Sequence, residues 1–82
     1  MQLTVLASGS KGNCTYLRGE RGALLIDAGL SARETLRRLS EAGGDPALIE
    51  AILVTHEHID HIRGVDVLAR RLGVPVYATG GT

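Results

Sequence analysis

The period of the apolar residues changes several times along the chain, and each change marks an element. Gln2 to Ala7 alternates polar and apolar residues with β-branched content, the pattern of a strand covered on one face. Ser8 to Asn13 (SGSKGN) then concentrates small, turn-forming residues. Cys14 to Arg18 and Ala23 to Asp27 read as two more strands joined by the Gly19-Glu20-Arg21-Gly22 turn, so the three together predict an antiparallel meander.

Beyond Asp27 the period lengthens. Ser31-Ala32-Arg33-Glu34 is a capping box opening a helix that runs to about Ala42, where Gly43-Gly44 stops it. Ala32, Leu36 and Leu39 form its buried stripe, and Glu34 with Arg38 makes an i,i+4 pair on the outer face. Asp45-Pro46 predicts an N-cap and first residue of a short helical turn through Glu50, and Ala51 to Thr55 a strand. After His61, the series Ile62, Val65, Leu68, Ala69, Leu72 is helix-periodic, with Arg63, Asp66, Arg70 and Arg71 turned outward as a solvated face. Gly73 caps that helix, and Val74 to Ala78 forms the next strand, which completes a βαβ unit with a right-handed crossover. The fold class expected is α/β, or α+β by strand pairing: a mixed sheet with helices on one face.

Composition narrows the partners. Eighty-two residues make one domain at most, and burial rests on Leu, Val, Ile and Ala, because there is no Phe or Trp and only Tyr16 and Tyr77. That excludes an aromatic stacking platform for single-stranded nucleic acid. Nine basic residues balance nine acidic ones, so net charge gives no argument for a dedicated nucleic-acid or membrane-surface binder. Cys14 stands alone, which rules out a disulfide within the chain and reads as a small buried hydrophobe. With no basic amino-terminal region and an apolar run that ends by Ala7, the expectation is a soluble cytoplasmic protein without signal peptide or membrane span.

The chemistry is concentrated in Thr55-His56-Glu57-His58-Ile59-Asp60-His61, which holds all three histidines of the chain and a carboxylate. Neutral imidazole and carboxylate both ligate divalent ions such as Zn²⁺. His56 and His58 lie two apart, and in extended backbone positions i and i+2 share a side, so both imidazoles reach one ion. Asp60 and His61 are adjacent, diverge, and more naturally serve a second ion. The H-E-x-x-H zinc signature does not fit, since Asp60 occupies the position of its second histidine. A Ser-His-Asp triad would leave two histidines unexplained. A histidine-rich surface loop is the remaining bland alternative.

The run His56-Glu57-His58-Ile59-Asp60-His61, preceded by a strand and followed by Gly64, resembles the first metal motif H-x-H-x-D-H of the metallo-β-lactamase-fold metallohydrolases. Ser8-Gly9-Ser10-Lys11-Gly12-Asn13 after the first strand also resembles the bacterial YycJ/WalJ-type, nuclease-like branch of that family. The resemblance implies the amino-terminal part of an αββα sandwich. It implies His56 and His58 on one metal, Asp60 and His61 on a second, with the remaining ligands and the general acid downstream of this chain. The ions would be Zn²⁺, or Mn²⁺, sharing a hydroxide that attacks an ester-like centre, with Asp60 also orienting that nucleophile. Asp27, at the end of its strand before Ala28-Gly29, would orient a ligand or hold the metal loop; read alone, it is a carboxylate accepting hydrogen bonds from the following turn. Ser10 and Asn13 would line an anion site, although their loop reads equally as a plain hairpin connection. The substrate implied is a phosphodiester in nucleic acid, with thioester or lactam hydrolysis, or an inactive metal-binding or interaction module, as alternatives. A sheet covered on one face only also predicts self-association, or a missing carboxy-terminal half that covers the other face.

Overall fold

The computed structural model describes residues 1–8, 13–55 and 59–78, with 59–63 described by their backbone alone. The elements in order are β1 (Gln2–Ala7), β2 (Cys14–Arg18), β3 (Ala23–Ala28), α1 (Ala32–Glu41), a 3-10 turn (Pro46–Leu48), β4 (Ile49–Val54), α2 (Ile59–Leu72) and β5 (Val76–Ala78). The strands form a single five-stranded sheet in the order β1-β2-β3-β4-β5. The first three pair antiparallel, as the meander predicts, whereas β3–β4 and β4–β5 are parallel. Each parallel pair is spanned by a helix, so there are two βαβ crossovers, one more than the sequence reading contained.

The faces of this sheet differ. Tyr16 stands opposite Leu25, and Leu25 opposite Ile52, all three buried. They share a core with Ala32 and Leu39 of α1 and Val65, Leu68 and Ala69 of α2, so both helices lie on this face. The alternate positions make the other face. One row runs Leu3, Leu17, Leu24, Ala51, and a second runs Val5, Thr15, Ile26, Leu53, Tyr77, each residue opposite the next across the strands. Leu3 is 61%, Val5 56% and Tyr77 55% exposed, and Leu17, Leu24, Ile26 and Leu53 between them are half-buried, so this face is largely apolar and only partly covered. Among the described residues no helix is long and apolar enough to cross a membrane.

Element boundaries moved where hydrogen bonding outweighed pattern. β4 begins at Ile49, because the turn closes at Leu48, whose N–H donates to the Asp45 carbonyl, and does not continue to Glu50. α2 begins at Ile59, ahead of its apolar periodicity, and so takes in Asp60 and His61. Val74 belongs to the helix end and not to β5: its N–H and that of Gly73 both donate to the Ala69 carbonyl, with Gly73 at φ 69°. In α1, Ala32 and Leu39 are buried and Leu36 packs half-buried against the core as expected, while Thr35 joins them fully buried, its hydroxyl satisfied by the Ser31 carbonyl at 2.9 Å. Half of the capping box forms. Ser31 Oγ accepts from the Glu34 N–H at 3.2 Å, while the Glu34 carboxylate takes Arg37 and Arg38 instead of reaching back.

Candidate metal centre

Parallel pairing of β3 and β4 brings their carboxyl ends to the same edge of the sheet, with Ile26 opposite Leu53. Ligands bind at that edge in open α/β sheets. β3 does not finish flat. Cys14 pairs with Ala28 and Thr15 with Ile26, so Asp27 is the extra residue of a β-bulge. Its φ of 59° lies in the left-handed region, which Asp tolerates better than most side chains. The strand accordingly runs one residue past the Asp27 end expected from the sequence.

The bulge aims the Asp27 carboxylate at the neighbouring strand end. Oδ1 accepts from the Thr55 N–H at 2.7 Å and Oδ2 from the Thr55 hydroxyl at 2.6 Å. Thr55 is the residue immediately before His56. Asp27 thus holds the backbone at the entrance to the histidine run, which is one of the two roles that the resemblance implied for it. Thr55 itself was legible only as the end of a strand; its signal is a hydroxyl residue placed between an apolar strand and the first histidine.

The far side of the run is also anchored. A Cβ built on Gly64 would sit 2.7 Å from the Leu30 carbonyl oxygen and 3.8 Å from that of Ala28. Only glycine lets α2 lie this close to the link between β3 and α1. The backbone of Asp60 and His61 stands in the first turn of α2, one turn before that contact. Asn13 joins the same neighbourhood through its backbone, its carbonyl accepting from the Gly29 N–H at 2.9 Å. His56, His58 and Ser10 lie outside the described residues. The donor set of three imidazoles and one carboxylate fits a divalent metal on chemical grounds.

Burial next to this edge leaves its mark on Cys14. The thiol is fully buried, and removal from water, with the Asp27 charge adding to it, pushes its pKa up to about 11. Cys14 is therefore a packed side chain that keeps its proton at neutral pH.

The mixed sheet with its two helical crossovers matches the amino-terminal part of the metallo-beta-lactamase fold, and residues 7–81 match the model of the metallo-beta-lactamase superfamily, to which the chain belongs. Its relatives include exodeoxyribonuclease WalJ of Streptococcus pneumoniae serotype 2, 49% identical over 96% of this chain, and exodeoxyribonuclease YycJ of Bacillus anthracis, 46% identical over all of it. The chain spans 29% and 31% of the lengths of those proteins. Among solved structures, the Rm3 metallo-beta-lactamase superposes with a TM-score of 0.76 at 31% identity, over 90% of this chain and 28% of its own.

Proposed function

We propose that this chain supplies the first donors of a two-metal site that hydrolyses phosphodiester bonds in nucleic acid. The carrying observation is the Asp27 carboxylate bound twice to Thr55, because it fixes the strand end from which the H-x-H-x-D-H run departs. The near-half identity to two exodeoxyribonucleases along 96% and 100% of the chain supports DNA as the substrate class.

In this reading His56 and His58 hold one ion and Asp60 and His61 the other, with further ligands assigned to segments outside these 82 residues. These donors fit Zn²⁺ or Mn²⁺, which when bound would lower the pKa of a water and neutralise charge on the phosphate. Asp60 orients the attacking water. Asp27 keeps the loop backbone in place through Thr55, so that the imidazoles converge without reorganisation. Ser10 and Asn13, on the loop after β1, contact the phosphate of the substrate.

Metal content per chain and cleavage of a labelled single-stranded DNA test this together. The expected result is about one to two equivalents of zinc or manganese, lost in His58→Ala, and DNA cleavage that a chelator stops. Metal-dependent hydrolysis of a thioester with none of DNA would overturn the substrate. A metal content unchanged in His56→Ala and His58→Ala would overturn the site.

A further inference from the structure

The cleft between α1 and α2 plays no part in that reading. It encloses about 530 Å³, with Leu30, Ala32, Gly64 and Val67 along its wall and Arg33 and Arg71 bordering it. Gly64, Val67 and Arg71 recur at i, i+3 and i+7, so they share one face of α2. Arg33 comes from the first turn of α1. Both arginines are exposed, and among the described residues neither makes an ion pair or a side-chain hydrogen bond. The acids nearest in sequence are already matched, Glu34 with Arg37 and Arg38, and Asp66 with Arg70 at 3.1 Å. Among the described residues no acidic side chain lines the cleft. Of Arg70 and Arg71, then, the first is neutralised and the second borders a concavity with Arg33, which is likewise unpaired among the described residues.

We propose that this cleft is a track for the phosphodiester backbone of a nucleic-acid strand running away from the metal loop, with Arg33 and Arg71 as its phosphate contacts. The proposal rests on the phosphodiester reading of the metal centre. Guanidinium groups bind phosphate oxygens in pairs, and they do so best where no carboxylate competes. The position fits: Gly64 is one helical turn, about 6 Å along the axis, from Asp60, and Arg71 is about 10 Å further. The wall offers no aromatic ring, so contact is with the backbone and is indifferent to base sequence. Local arrangement, rather than net charge, supplies the attraction.

The test is binding without catalysis. The 82-residue chain, kept in EDTA, is titrated with a fluorescein-labelled oligothymidylate by anisotropy at several salt concentrations. Each phosphate contact adds about 0.7 to the slope of log affinity against log salt for a single strand, so R33A/R71A is expected to lower the slope by about 1.4. Between roughly 50 and 200 mM salt the unmodified chain then loses about sevenfold more affinity than the variant does. R18A/R21A removes the same charge at the opposite end of β3 and is expected to leave the slope in place. An unchanged slope in R33A/R71A, an equal fall in R18A/R21A, or no binding by the unmodified chain overturns the track. Chelator-sensitive DNA cleavage, measured separately, reports on the metal centre itself, so either idea can fall without the other.

Discussion

A carboxylate that occupies the left-handed region needs a compensating gain, and Asp27 has two hydrogen bonds to Thr55. Removing them in Asp27→Ala while keeping the unfavourable backbone is expected to cost about 2 kcal/mol in urea unfolding. Asp27→Gly also loses the bonds but relieves the backbone, so it should be about 1 kcal/mol less destabilised than Asp27→Ala. Equal stability of the two variants would mean that the bulge is unstrained. Cys14 offers a second check. Its thiol, raised from 9.0 to about 11, is un-ionised at pH 8, so iodoacetamide should modify it at the rate of unfolding and not of simple encounter. Because the folded value exceeds the unfolded one, the contribution of this thiol to stability is complete below pH 9 and is lost as pH rises towards 11. The identity of these residues was readable from the chain, but the bulge was not. An extra residue exists only relative to the partner strand, and Thr15 and Ile26 reveal it only once paired.

Among the elements, α2 makes a close approach to a backbone carbonyl at Gly64. Gly64→Ala gains helix propensity of about 1 kcal/mol but drives a methyl against a backbone carbonyl, which overpacking costs of about 1–3 kcal/mol should match or exceed. The expected outcome is no gain in thermal stability and a weaker zinc affinity, measured by competition with a chromophoric chelator, because the first turn of α2 must shift. Undiminished zinc affinity with raised stability would show that the contact yields freely. In α1, Arg37 and Arg38 hold the Glu34 carboxyl down to about 2. That depressed value makes its contribution complete above pH 4.5 and lost as pH falls towards 2, so Glu34→Gln should flatten the acid limb of the helical circular dichroism signal. Periodicity located α1, α2 and their stop signals well, since both helices lie on an apolar core. The start of α2 escaped it: the polar, histidine-rich run that leads into it has no apolar period to read.

For the whole molecule, the accessible surface is 5350 Å², against about 4,700 Å² expected for a compact protein of this mass. An uncovered sheet face accounts for an excess of that sign. The rows through Leu17 and Leu24 and through Ile26 and Leu53 are expected to drive concentration-dependent association in sedimentation velocity, and Leu17→Lys with Val5→Lys should reverse it. A monomer at all concentrations in the unmodified chain would refute this. The uncovered apolar face was expected from the carboxy-terminal half that the resemblance implied, whereas the parallel β3–β4 pairing could not be read from the strand pattern, because alternation is the same for either strand direction.

That pairing has a consequence in time. Asp27 and Thr55 are 28 residues apart, with all of α1 between them, so their bonds form only after the crossover has closed. Thr55, the residue before His56, has no fixed place until then. Metal capture during refolding should follow sheet closure as a late, first-order event whose rate does not depend on zinc concentration, and stopped-flow with a zinc dye would time the completion of the fold.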